Sequence, residues 1–153
     1  MSGASNYSPY EANVKGFVEV LQDLDETLSA TAVTSVAGFE AVVFENVSQG
    51  QPLYSRSSDG KLGLATAGGT EDEARVAGFA QSSKTTGQTA RCIVYGLSAA
   101  TNVTAGALCY LNVGYGGVTT TPPSEAGQYI TRVGQAISGA SLHVRIEPPI
   151  KVG

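Results

Sequence analysis

The chain has no tryptophan, one histidine, two cysteines and one methionine in 153 residues. Charged side chains make up only 14% of it, against about 25% in an average soluble domain. Each shortage closes a route. The nine basic residues are scattered with no local run of three, and the net charge is −4. A sequence-independent grip on nucleic acid needs clustered Lys and Arg to displace counterions, so no nucleic-acid partner is expected. One histidine, His143, and two cysteines fall short of the ligand set of a zinc site. No apolar run approaches the ~20 residues of a spanning helix, so no membrane partner is expected. The opening Met1-Ser2-Gly3-Ala4-Ser5-Asn6-Tyr7 has neither a basic nor an apolar leader region, and no secretory signal is expected.

The remaining chemistry is equally thin. Cys92 and Cys109 fall in apolar, strand-like runs, where a free thiol behaves as a small hydrophobe. Nothing points to an oxidising compartment, so burial is preferred to a disulfide. Glu71, Asp72 and Glu73 are adjacent but lack the alternating ligand spacing of a Ca²⁺ loop, and a solvated loop is the expectation. The glycine-rich 113–117 stretch lacks the Gly-Lys-Ser/Thr ending of a phosphate loop and leads into a β-pattern. No Gly-x-Ser-x-Gly elbow is present. A Ser-His-Asp grouping or a carboxylate pair would become visible only in the fold. The expectation is a protein with no catalytic residue, no metal and no cofactor, and with His143 on a surface or at an interface.

What is abundant is glycine, 19 residues, within a chain that is 42% hydrophobic. A phrase also recurs at an offset of 56 residues. Val47, Gly50, Tyr54, Gly60, Gly78 and Ala80 return as Val103, Gly106, Tyr110, Gly116, Gly134 and Ala136. Chance in so Gly- and Ala-rich a chain would supply roughly half as many identities, which favours a duplicated unit over repeated turn chemistry in an ordinary β-protein. Gly50, Gly60, Gly78, Gly106, Gly116 and Gly134 are therefore expected to be structural turn residues.

Strands are predicted at 39–47, 52–55, 61–66, 75–81, 89–95, 107–112, 117–121, 129–137 and 141–146, separated by turn chemistry such as Ser58-Asp59-Gly60. Leu142, Val144 and Ile146 alternate with His143 and Arg145, the pattern of a half-buried strand. Short strands at this spacing, without crossover helices, predict a mainly β protein. It is an antiparallel β-barrel or β-sandwich built from a pseudo-repeated unit. The organisation reads as an N-terminal arm over 1–35 and a β-domain over 36–153, with pseudo-repeats at about 39–95 and 96–147. Val14, Phe17, Leu21, Leu24 and Leu28 follow helical spacing, while Phe17-Val18-Glu19-Val20-Leu21 reads equally as a strand, and the reading preferred over 14–28 is a short helix or helical turn around 20–28. Tyr7, Tyr10 and Phe17 are candidate partner contacts, because aromatic side chains bring large contact area at low entropic cost. The unlike loops at 67–73 and 122–127 are further candidates for partner recognition.

The span from Gly50 to Ile146 resembles a small β-domain of tailed-bacteriophage virions. The phrases that carry the likeness are Gly50-Gln51-Pro52-Leu53-Tyr54, Asp59-Gly60-Lys61-Leu62 and Arg75-Val76-Ala77-Gly78-Phe79-Ala80, with Val103-Thr104-Ala105-Gly106-Ala107-Leu108-Cys109-Tyr110-Leu111 and Arg132-Val133-Gly134-Gln135-Ala136 in the second half. They are most similar to head decoration, or cement, proteins, and similar modules occur in tail-fibre proteins. The resemblance implies a structural virion protein made in the bacterial host cytoplasm and attached to the outer capsid surface. Its partners would be the major capsid protein and further copies of itself, a homotrimer being favoured. The alternative is a tail-fibre or receptor-binding module, followed by a carbohydrate-binding domain using Tyr110, Tyr115 and Tyr129.

Overall fold

Alternating apolar residues and glycine turns drive the chain into short antiparallel strands. The computed structural model describes residues 36–153. Tyr7, Tyr10, Phe17 and the helical turn predicted around 20–28 lie outside the described residues. The strands are β1 (Val36–Val42), β2 (Pro52–Ser55), β3 (Leu62–Leu64), β4 (Val76–Ala80), β5 (Thr89–Ala99), β6 (Leu108–Leu111), β7 (Val118–Thr119), β8 (Tyr129–Ile130), β9 (Arg132–Ser138), β10 (Ser141–Arg145) and β11 (Ile150–Lys151). One short helix, α1 (Glu71–Ala74), precedes β4. Nine strands form one antiparallel sheet, curled into a half-barrel, in the order β3-β2-β4-β5-β10-β9-β6-β7 with β1 also on β5. Strands β8 and β11 form a separate two-stranded ladder.

The 11-residue β5 is the hinge of this topology. Ile93 pairs with both Gly38 of β1 and Phe79 of β4, so those strands take opposite edges. Gly96 pairs with both Val36 of β1 and Val144 of β10. Strands β4 and β10 therefore share one edge of β5, one after the other. Residues 89–94 complete a five-strand unit ordered β3-β2-β4-β5-β1. Residues 95–99 begin a second unit ordered β7-β6-β9-β10-β5. Each unit uses its strands in the same chain order and the same spatial order.

The ladders repeat residue for residue. Tyr54↔Gly63 and Ser55↔Leu62 return as Tyr110↔Thr119 and Leu111↔Val118. Pro52↔Phe79, Leu53↔Gly78 and Tyr54↔Val76 return as Leu108↔Gln135, Cys109↔Gly134 and Tyr110↔Arg132, with a β-bulge at the same step. The turns repeat too, since Gly50 and Gly60 have φ of 85° and 75° while Gly106 and Gly116 have 83° and 70°. These are left-handed positions that favour glycine.

Gly78 and Gly134, expected in turns, sit instead inside β4 and β9 at the bulged step. Space is the reason. A Cβ on Gly78 would come within 2.5 Å of Cys92 Sγ and of the Ile93 carbonyl oxygen. One on Gly134, at φ 152°, would collide with the His143 carbonyl oxygen. Each glycine lets a bulged strand press against the next strand's backbone.

The repeat also explains the core. Val47, Leu53, Leu62, Ala80 and Cys92 form the inner cluster of the first unit. Their register counterparts Val103, Cys109, Val118, Ala136 and Leu142 occupy the interior of the second. That second cluster also takes in Tyr54, Val76, Phe79 and Ile93 from the other face of the first unit. One cluster thus fills the first unit, and the other joins the two. Filling both with apolar side chains is the main stabilising term.

Three local differences from the expected strands have clear causes. The acidic loop holds α1, because Thr70 and Glu73 form a capping box and Glu71, Asp72 and Glu73 fill the positive first turn. Strand β5 runs past Tyr95 to Ala99 because residues 95–99 pair with Ser141–Arg145 of β10. The predicted 129–137 strand breaks at Thr131, which is fully buried and donates its Oγ1 hydrogen to the Ala74 carbonyl at 2.7 Å. Beyond the prolines at 148 and 149 the chain also regains a ladder, as β11 on β8.

Substituting Gly134→Ala should cost about 2–3 kcal/mol in urea unfolding, since backbone must move to admit a methyl group at a strained φ. Gly139→Ala, whose added Cβ meets only the Val103 carbonyl oxygen at 3.8 Å, should stay within about 0.5 kcal/mol. Equal effects of the two would show that close strand approach at Gly134 does not matter.

Candidate functional site: an open cleft on the second unit

The two units differ most on one face. In the first, β2, β4 and β5 turn Tyr54, Val76, Phe79 and Ile93 into the interior, with Phe79 wholly buried. The counterparts in the second unit are Tyr110, Arg132, Gln135 and His143, placed by the same ladder. Polar groups thus stand where the first unit has its inter-unit core. They line a cleft of about 340 Å³ whose walls are Leu108, Arg132, Gln135, His143, Arg145 and Glu147. Gly134 lies among them and contributes no side chain.

The register makes this a wall rather than a scatter of residues. Leu108, Gln135, His143 and Leu97 are successive partners across β6, β9, β10 and β5. Arg132 donates to Glu147 at 2.7 Å, and the Glu147 amide donates back to the Arg132 carbonyl at 2.9 Å. The Glu147 carboxylate, through that hydrogen bond, raises the Arg132 pKa further and holds the guanidinium charged. Gln135 is pinned by its Nε2 donating to the Gly106 carbonyl at 2.9 Å. Tyr95 packs edge to face on His143 at 5.0 Å. Nε2 of His143 is buried with no hydrogen-bond partner. Arg145 is exposed and makes no ion pair among the described residues. The cleft therefore carries an excess of positive charge and unspent hydrogen-bonding capacity, with apolar surface at Leu108, which is 43% exposed.

Elsewhere the polar chemistry is structural. Arg56 lies 3.9 Å above the Phe44 ring, and Phe44 packs edge to face on Tyr54 at 5.9 Å. Arg56 also pairs with Asp59 at 2.7 Å across the β2–β3 turn. The Arg56 hydrogen bond, aided by the Lys61 amide, pulls Asp59 down to about 2. Cys92 and Cys109 are free and buried, and burial pushes the Cys92 thiol up to about 12. Tyr110, Tyr115 and Tyr129 make no exposed aromatic cluster, since Tyr115 is exposed, Tyr110 half-buried and Tyr129 buried. The Glu71–Glu73 acids are taken up by the α1 cap and by ion pairs to Arg75. Among the described residues no group of three His, Cys, Asp or Glu side chains could hold a metal ion. No described helix is long and apolar enough to cross a membrane.

Comparison with models of known protein families and with curated proteins finds no match to this chain. Sequence reasoning singled out His143 but not its neighbours in the cleft. The available signal was the offset itself, since aligning the copies sets Arg132 against Val76 and Gln135 against Phe79.

Two measurements check this electrostatic picture. Asp59 should titrate by NMR near 2. Its depressed value stabilises the turn above the ordinary range of about 3.9, and that contribution is lost as pH falls toward 2. Arg56→Ala should return Asp59 toward the ordinary value, and an unchanged midpoint would exclude Arg56 as the cause. Cys92 should resist alkylation at pH 8 in the folded protein and react at once in denaturant, whereas rapid labelling of the native state would contradict its burial.

Proposed function

We propose that the protein is a structural component of a tailed-bacteriophage virion, a decoration protein that binds the outer surface of the head lattice and reinforces it. The observation that carries this reading is the asymmetry of the two units. The first unit's outer face is spent on holding the molecule together, while the second unit's equivalent face is left open, shaped and polar. A protein whose task is attachment needs such a face beside a stiff body. The virion resemblance of the 50–146 span points the same way.

The physics of a clip fits a compact β-body. A shell expanding under internal pressure loads the contacts between its subunits. A protein that binds only the mature lattice stabilises it by mass action, and many weak attachments together add avidity. The arm then either lays Tyr7, Tyr10 and Phe17 into grooves of the major capsid protein or adds a strand to a neighbouring edge. Homotrimers that bridge neighbouring capsomers are the assembly this reading favours.

Quantitative mass spectrometry of phage particles purified from the host cells that make the protein tests this. Hundreds of copies per particle are expected for a shell component. A few to a few dozen would transfer the protein to the tail, as a fibre module, and absence from the particle would overturn a virion role. Deleting residues 1–13 should lower capsid occupancy and the heat resistance of the particle. Full occupancy with unchanged heat resistance would remove the arm from the mechanism.

A further inference from the structure

We infer that the cleft on the second unit is a docking site for an acidic protein segment, one that presents an Asp or Glu carboxylate beside an apolar side chain. The inference does not depend on the virion reading. It rests on what the duplication exposes and on the charge found there.

The first unit shows what this face does when it is covered. Phe79 and Ile93 pair across β4 and β5 and are buried against the second unit. The second unit places Gln135 and His143 as the equivalent pair. A face meant only for solvent would carry short polar or like-charged groups and no unpaired buried atom. This one keeps Leu108 exposed, keeps Tyr95 46% exposed against His143, and leaves His143 Nε2 without a partner. An unsatisfied buried ring nitrogen is a cost that a bound polar group would remove after a small rotation of the imidazole.

Charge selects the partner. Residues 36–153 carry eight acidic and eight basic side chains, so the β-body is neutral overall. The cleft is not, since Arg132 and Arg145 face it against Glu147 alone. Glu147 is engaged by Arg132, and Arg145 has no anion among the described residues. A guanidinium at the mouth of a cleft, with an amide and an imidazole along one wall, suits a carboxylate, because charge-assisted hydrogen bonds are the strong ones. The volume admits one acidic side chain and its neighbours. The one ring in the lining is the His143 imidazole, against which Tyr95 packs edge to face, and no Trp, Tyr or Phe face lines the cleft as a stacking platform for a sugar. Leu108 and Tyr95 offer apolar contact to the residue that flanks the acid.

The test uses the full chain and a capped peptide, Ala-Leu-Glu-Leu-Ala, titrated to about 1 mM while backbone amides are followed by NMR. A second titration uses the same peptide with Gln in place of Glu. The acidic peptide is expected to shift the amides of Gln135, His143 and Arg145, and the Gln peptide to bind at least about tenfold more weakly. Arg145→Gln should weaken the acidic peptide by about tenfold while leaving the unfolding midpoint unchanged, because Arg145 is exposed. Equal binding of the two peptides, or no shift at these amides, would overturn the proposal. So would a response to glucuronic acid without one to the peptide, which would assign the cleft to a sugar acid instead.

Discussion

Everything in the β-body depends on β5 being hydrogen-bonded along both edges by three strands. One edge carries β1, and the other carries β4 and then β10. A strand with partners on only one side would leave its amides to solvent or to other chains. By running 11 residues, β5 closes one unit and opens the next without a linker. The two copies therefore cannot separate as beads on a string. Their ladders share a backbone, and their cores meet through Phe79 and Ile93.

Duplication with a shared strand has a geometric consequence. The relation between the units is head to tail, so one outer face is consumed by the join and its twin is left over. In a longer array the leftover face would receive the next unit. Here it holds Arg132, Gln135 and His143 where the first unit has Val76, Phe79 and Ile93. Those substitutions prevent the face from collapsing onto another copy of the first unit's interior, while Leu108 and the cleft keep it from being inert. The functional proposals both start from this face.

Much of the fold was legible because local signals and tertiary structure agree. The 52–55 strand was located to the residue, and the offset of 56 reappears in the pairing of Tyr54 and Tyr110. Gly50, Gly60, Gly106 and Gly116 read as turns because a positive φ leaves a local trace in sequence. Gly78 and Gly134 did not, since a glycine needed for close approach of a distant strand looks the same as a turn glycine. The α1 helix was hidden by its length, although Thr70 and Glu73 carried the capping-box spacing. The cleft was least legible of all. Arg132, Gln135 and His143 form a site only once the bulged register sets β9 between β6 and β10, and no spacing along one strand reveals that.

Sharing β5 should make the two units one cooperative body. Native-state amide hydrogen exchange along that strand tests it most directly. Buried amides in 89–94 and 95–99 should exchange through the same opening, with one free energy and one denaturant dependence close to those of global unfolding. Separate openings for the two halves, with the second unit exchanging while the first stays protected, would contradict it.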